Sequence, residues 1–242
     1  MWGLFIFSLL TLTSAAKNLD ILGLYTNTFE GDGTYYWFTE DGTCSYTPPR
    51  LPPVAYHPSI TGFVALNRPQ FFRSLACGMC LSVNGTGSGL GLDPISGQHI
   101  VFVKDLCPGC KTGDVDFSKT GDGRWDIVIQ AIQCPVGNTS IEYKFQGSNR
   151  YYLKLQVRNA RIPATAVDMK SRDMASWKQM NHTRDGFWTV NIQSGVTFPI
   201  QLRLTAANDE VILDMLAISS IVNEDVFYGN GVQFSFDPEL PT

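Results

Sequence analysis

The chain is poor in charge, in histidine and in long apolar runs, and each shortage removes a class of function. Its 18 Lys and Arg stand against 22 Asp and Glu, for a formal net charge of -4. No basic stripe exists to neutralise phosphates, which excludes nucleic acid as a partner. The histidines are His57, His99 and His182; they lack zinc-protease spacing and no nucleophile pattern accompanies them. The glycine-rich run over 85–91 is not followed by Lys-Ser or Lys-Thr and does not lead from a strand into a helix, so it reads as a hairpin loop rather than a phosphate cradle. No long amphipathic helix is legible. Apolar runs are too short to span a bilayer comfortably, and no Cys follows Cys134.

What is present begins with MWGLFIFSLLTLTSAA, a short apolar run ending in Ser14, Ala15 and Ala16. That pattern predicts a secretory signal peptide over 1–16, with the mature chain starting near Lys17. Three N-x-S/T sequons, at Asn84, Asn138 and Asn181, agree with export and are expected on exposed turns as glycosylation sites. Six cysteines follow the leader: Cys44, Cys77, Cys80, Cys107, Cys110 and Cys134. Two C-x-x-C pairs invite a zinc reading. However, the gap between them is longer than in a zinc ribbon, two cysteines are left over, and an even count in an oxidising compartment favours disulfides. No metal or other cofactor is expected. Sparse charge and plentiful aromatics fit a neutral partner such as a polysaccharide.

The cysteine-bearing, turn-rich part ends near Phe145, and the brief QGSN link leads into a run of short strands. The division expected is 17–146 and 147–242, two closely packed units. In the first, HIVFVKDL (99–106) and WDIVIQAIQC (125–134) read as buried strands. Short helices are expected at Pro69–Leu75 and at Asp116 or Ser118. In the second, YYLKLQVRN (151–159) alternates, placing Tyr151, Leu153, Leu155 and Val157 on one face and Tyr152, Lys154, Gln156 and Arg158 on the other. PATAVDMK, ASWKQM, GFWTVNI, FPIQLRLTA, VILDMLAI and GVQFSF follow at regular spacing, with Asp185-Gly186 marking a turn. About seven strands in this length suggest an immunoglobulin-type β-sandwich.

GTYY (33–36), CGMC (77–80), VKDLCPGC followed by GDVDFS, and SNRYYLKLQVRN occur in an order and spacing that resemble expansins, from about Phe29 to Phe236. The resemblance implies an all-β chain: a six-stranded double-psi β-barrel followed by an immunoglobulin-like, carbohydrate-binding sandwich. It also implies Cys44–Cys77 and Cys80–Cys134 disulfides, leaving Cys107 and Cys110 as a tight local bridge or free thiols.

The same resemblance marks candidate site residues. Asp116, in VDFS, matches the groove aspartate; flanked by apolar side chains, it is expected to have a raised pKa and to donate a proton or strong hydrogen bond to a glycosidic oxygen. The alternative is a turn or capping aspartate. Asp105, in VKDL, matches a second groove aspartate, with a strand-end Asp accepting backbone hydrogen bonds as the alternative. Thr34 and Tyr36 match a hydroxyl donor and a sugar-stacking ring, a barrel-core Tyr being the ordinary reading of the latter.

Related inverting endoglucanases carry a catalytic base just after the Thr-aromatic-Tyr-Trp segment. Here Phe38 holds that position and cannot activate water, which leaves Glu40 or Asp41 as substitutes. On the sandwich, Tyr151 and Tyr152 match two of three glycan-stacking aromatics. Strand parity makes Tyr152 the better exposed. The third has no clean match: Asp185 falls nearest, with Phe187 and Trp188 beyond, and Trp188 is the candidate taken. Lys154 shares the face of Tyr152, and Trp177 is either exposed or core.

These matches imply a secreted, extracellular or cell-wall protein, expected to be monomeric, that binds cellulose or a related β-1,4-glucan and loosens it without hydrolysis. Two alternatives stay open: an endo-β-1,4-glucanase using Asp116 as acid, and an inactive carbohydrate-binding matrix protein.

Overall fold

The computed structural model describes residues 18–46 and 51–242, so the expected leader over 1–16 lies outside the described residues. Six strands close into a barrel: β1 (Phe29–Tyr36), β2 (Ile60–Asn67), β3 (Cys80–Leu90), β4 (Ser96–Cys107), β5 (Val115–Ser118) and β6 (Arg124–Ile132), in the spatial order β1-β5-β2-β4-β3-β6. The β1–β5 and β2–β4 pairs are parallel and the other pairs antiparallel. Period-2 patterning fills the interior. Along β6, Trp125, Ile127, Ile129 and Ala131 are buried, while Arg124 and Asp126 are exposed. At the seam between β1 and β5, a Cβ on Gly113 would stand 2.0 Å from the Glu30 carbonyl oxygen, so only glycine permits the approach.

A helical segment over 18–26 precedes the barrel. Ile21, Leu24 and Tyr25 recur at helical spacing and join the barrel core. This helix was not legible beside the apolar leader. All six cysteines are paired, as Cys44–Cys77, Cys80–Cys134 and Cys107–Cys110. The first two are the bridges the resemblance implied, and the third closes the tight local loop.

Nine strands make the second part: β7 (Glu142–Phe145), β8 (Tyr152–Arg158), β9 (Ala164–Ser171), β10 (Lys178–Gln179), β11 (Asn181–His182), β12 (Trp188–Asn191), β13 (Ile200–Ala206), β14 (Val211–Ile218) and β15 (Val226–Tyr228). They form two sheets, ordered β10-β9-β13-β14 and β11-β12-β8-β7-β15. Leu153, Leu155, Trp188 and Val190 of the second sheet and Val167, Met169, Leu202 and Leu204 of the first are buried in the core. The chain is therefore all-β, with few helical turns, as expected.

Several local expectations are corrected. Asp116 opens no helix: it lies within β5, where pairing to β1 on one side and β2 on the other overrides its turn preference. The helix expected at Pro69–Leu75 is one α-turn, Arg68–Phe71, running into a 3-10 turn, and it breaks because Phe72, Arg73 and Ser74 take positive φ. GVQFSF (231–236) is not a strand; Gln233 instead bonds Arg161 N, Asn159 O and Thr139 O, while β15 supplies the edge of the five-stranded sheet. Glu142–Phe145, grouped on sequence with the first unit, hydrogen-bonds in that sheet instead. Asn84 and Asn181 are exposed but sit in strands β3 and β11 rather than turns, whereas Asn138 does lie in a turn.

Barrel and sandwich meet through a polar contact. The outward face of β8 carries Tyr152, Lys154, Gln156 and Arg158, and its far half is covered by barrel segments. Gln156 Nε2 donates to the Cys44 carbonyl (2.7 Å), and the Arg158 guanidinium sits 5.4 Å from the Tyr46 ring centroid. Arg158 pairs with Glu142 at 2.7 Å, their side chains 1% and 3% exposed. Ser74 Oγ donates to Thr183 O and accepts from Gly186 N, both at 3.0 Å.

Candidate functional site

Strand register, more than sequence proximity, assembles the barrel site. Thr34 pairs with Asp116 across β1–β5, Asp116 with Ala65 across β5–β2, and Ala65 with Asp105 across β2–β4. Paired residues on neighbouring strands project to the same side. Asp105, Ala65, Asp116 and Thr34 therefore stand in one row, with only a methyl group between the two aspartates. The row depends on an irregularity in β4: Val64 pairs with Val103 but Ala65 with Asp105, leaving Lys104 as the extra residue. Bulges re-aim side chains in this way; without it, Lys104 would face Ala65.

Thr34 Oγ1 donates to Asp116 Oδ1 at 2.7 Å. Partial burial pushes Asp116 above the ordinary carboxylate range; the Thr34 hydroxyl and the Arg124 charge pull against that rise, and the Asp105 charge adds to it. Arg124 is itself drawn to Asp32. Asp116 is thus half-buried, held by the Thr34 hydroxyl, and more readily protonated than a surface aspartate.

Asp105 is used differently. Its Oδ1 accepts the backbone N–H of Thr43 (2.7 Å) and of Leu106 (2.8 Å), which is the backbone-accepting alternative named above. Beside it, Lys104 Nζ donates to the Thr39 carbonyl and sits 5.2 Å from the Phe38 ring centroid. Burial lowers the Lys104 pKa, while the Asp105 and Asp41 charges act in the opposite direction. A Cβ on Gly42 would stand 2.6 Å from the Lys104 carbonyl oxygen, so the loop can settle here only because residue 42 has no side chain. Consecutive residues of β4 therefore clamp the 37–43 loop beside the row.

That loop exposes Trp37 (76%) and Phe38 (51%). Glu40 and Asp41 are also exposed on it. Asp105 is the carboxylate whose charge bears on Asp116. Tyr36 lies opposite Ser118 and two residues beyond Thr34. Its hydroxyl is shielded from solvent and makes no hydrogen bond among the described residues. Burial pushes its pKa up to about 12; the nearby Ser118 and Thr39 hydroxyls ease the rise, while the Asp105 and Asp116 charges add to it.

On the sandwich, the two tyrosines exchange their expected places. Tyr151 is 56% exposed, whereas Tyr152 is half-buried. The cause is Asn149, whose Oδ1 accepts the N–H of both Tyr151 (2.8 Å) and Tyr152 (3.1 Å). The chain turns there, so the alternation of β8 does not extend back to Tyr151. Trp188 is no surface platform: it is 5% exposed, in the core, with its ring 4.6 Å from that of His182. Phe187 is fully buried, with Lys154 Nζ 4.4 Å from its ring centroid. Lys154 in turn bonds Gln146 and Asp185, at 2.7 and 2.6 Å. Trp177 is partly exposed, with the Arg203 guanidinium 5.1 Å from its ring.

Sequence reasoning passed over Ala65 and Lys104. Neither carries a signal in one dimension, because the spacer role of the first and the clamp role of the second arise from cross-strand register. Among the described residues no three His, Cys, Asp or Glu side chains are grouped to hold a metal ion.

A family model described as "Expansin-like protein middle domain" matches residues 139–235, a span that takes in the sandwich strands from β7 onward. A putative expansin-B2 of Arabidopsis thaliana is 23% identical over 223 residues, 83% of this chain and 77% of that protein. Expansin-YoaJ of Bacillus subtilis is 27% identical over 140 residues, 54% of this chain and 58% of that protein. The crystal structure of apo Clavibacter michiganensis expansin superimposes with a TM-score of 0.67 at 22% identity, covering 87% of this chain and 100% of that one. A mutant of that expansin, in complex with cellohexaose, matches at the same TM-score of 0.67 and 23% identity. The matched sandwich strands, the plant and bacterial relatives, and the fold shared with the Clavibacter protein together support an expansin-like protein.

Proposed function

We propose that the chain binds cell-wall β-1,4-glucan through the barrel row and the sandwich tyrosines, and loosens wall polymers without cleaving the glycan. The observation that carries this reading is the contrast between the two aspartates. Asp116 is half-buried, bonded by Thr34 and raised in pKa, which suits it to donate a hydrogen bond to a glycan oxygen and compete with bonds between chains. Its neighbour Asp105 gives Oδ1 to two backbone N–H groups. Inverting hydrolysis needs a second carboxylate, roughly 6.5–9.5 Å away, free to activate water. With one Asp105 oxygen tied to two backbone N–H groups and Phe38 at the position a base would hold, the arrangement supports a role without bond cleavage.

Thr34 orients the Asp116 carboxyl, Asp105 fixes the loop, and Tyr36 shapes the floor of the site. Tyr151 supplies the exposed ring for stacking on a glucose unit, with Tyr152 beside it. The relatives' names and the cellohexaose bound to the Clavibacter protein support a cellulosic ligand and an extracellular, cell-wall setting. The leader over 1–16 and sequons at Asn84, Asn138 and Asn181 fit the same route, with a monomer as the working form.

The test pairs two readouts: extension of heat-inactivated plant wall under constant load, and reducing ends released into the same bath. Wild-type protein is expected to extend the wall with no new reducing ends, and Asp116→Asn to lose most of the extension. Release of reducing ends would overturn the non-lytic reading and direct attention to Glu40 and Asp41. Full extension by Asp116→Asn would remove the role given to that carboxyl.

A further inference from the structure

At one end of the sandwich, where loops from both sheets meet, Arg150, Arg172, Val196, Thr197, Phe198 and Ile221 line an open cleft of about 630 Å³. A single segment holds both arginines in place. Val196 N donates to the Arg150 carbonyl (2.9 Å), and Arg172 N donates to the Thr197 carbonyl (3.2 Å). Ser171 Oγ locks the same corner, donating to Thr197 O at 2.8 Å and accepting from Thr197 N at 2.6 Å.

The side chain of Arg150 lies across Gly195. A Cβ there would stand 2.5 Å from Arg150 Nε, so the absence of a side chain leaves the guanidinium its resting place. From that place the guanidinium lies over the Tyr151 ring, 5.9 Å from its centroid. Arg172 meets Asp173 at 3.5 Å with both side chains 65% exposed, and a pair so open to water is weak. Among the described residues neither guanidinium has a buried acidic partner, although the chain as a whole carries a net charge of -4.

We propose that this cleft is a subsite for a hexuronic acid unit, so that the sandwich reads an acidic glycan beside the neutral glucan stacked on Tyr151. The proposal rests on the glucan reading above and deepens it. Val196, Phe198 and Ile221 offer an apolar wall for the C–H face of a pyranose. Each guanidinium on the cleft lining can give a carboxylate charge-assisted hydrogen bonds, where a neutral sugar would give it only hydroxyls. The volume lies within the range of about 300–1,000 Å³ usual for small-ligand sites.

The experiment measures binding of the full chain to polygalacturonate, to its methyl ester (the same backbone without charge), to dextran sulfate and to cellulose. Wild type, Arg150→Gln, Arg172→Gln and the double variant are compared, with melting temperatures taken to confirm folding. Wild type is expected to bind polygalacturonate about tenfold or more tighter than the ester. Each single variant should lose much of that preference and the double variant all of it, while Arg172→Gln keeps wild-type retention on cellulose. Equal binding to the acid and its ester, or a double variant that still prefers the acid, overturns the subsite. Dextran sulfate binding that matches polygalacturonate and ignores the substitutions also overturns it, in favour of diffuse attraction of polyanions. Loss of cellulose binding with arginine-dependent polygalacturonate binding intact would refute the glucan reading alone; the converse would refute the subsite alone.

Discussion

Within the sandwich, on the face of β7 and β8 that the barrel covers, one ion pair is buried, and its removal has a calculable cost. Arg158 and Glu142 meet at 2.7 Å with side chains 1% and 3% exposed. Arg158 also donates to Gln156 Oε1 (3.3 Å) and faces the Tyr46 ring of the barrel. Changing Arg158 to Met leaves the Glu142 carboxylate buried without its cation, a defect that costs about 3–5 kcal/mol. For a chain of this size, each kcal/mol shifts the melting temperature by about 2–4 °C, so the expected fall is about 6–20 °C. Replacing both partners with Met removes the stranded charge and should recover most of that loss. Thermal unfolding of the two singles and the double variant, analysed as a double-mutant cycle, measures the coupling. A single-variant loss under about 1 kcal/mol, the range of exposed pairs, or strictly additive singles would refute the claim that this pair is dry and coupled across β7 and β8.

Other outcomes are expected at the site itself. Asp116 holds its proton more tightly in the folded state than unfolded, so the stability it lends is present below the unfolded value near 4 and is lost as pH rises through the folded value. Asp116→Asn should therefore melt higher than wild type at neutral pH, with the gap closing below about pH 4; a gap constant with pH would contradict this, and wild-type wall extension should decline as pH rises through the same carboxyl. Tyr151→Ala should weaken cellulose binding by about 5- to 30-fold, the equivalent of about 1–2 kcal/mol, with Tyr152→Ala costing less, as read by depletion isotherms. Lys104→Met frees the Thr39 carbonyl and unclamps the 37–43 loop; limited proteolysis should then cut there first, and unchanged protection would show that Asp105 holds the loop alone. Asp185 is pushed up by burial, but the Lys154 and Thr183 side chains outweigh that and hold it below the ordinary range. Its contribution should thus be present above the unfolded value and fade as pH falls through the folded one, an acid-side loss absent in Asp185→Asn.

Much of the fold could be read without coordinates. The alternation of 151–159 placed Leu153 and Leu155 inside and Lys154 outside, because period-2 burial is written residue by residue. It could not say that Gln156 and Arg158, equally outward, lie under the barrel, since that surface is supplied by Cys44 and Tyr46, more than a hundred residues earlier. Trp188 was misjudged for a related reason: a large aromatic looks alike in one dimension whether it stacks on a sugar or fills a core. Tyr151 was misplaced because the Asn149 turn ends the alternation one residue earlier than the pattern implied.

The sequence alone determined the strand periodicity, the all-β class and a set of candidate side chains, because these depend on local chemistry and on motifs with fixed spacing. The tertiary structure decided which of them act together. Thr34, Asp116 and Asp105 form a row only because three strand pairings and one bulge bring residues from β1, β5 and β4 onto one side of the barrel around Ala65. Hydrogen bonding then sets the two aspartates apart, Asp116 accepting the Thr34 hydroxyl and Asp105 two backbone N–H groups. Desolvation and cross-strand register are properties of neighbours in space, and a linear chain does not record them.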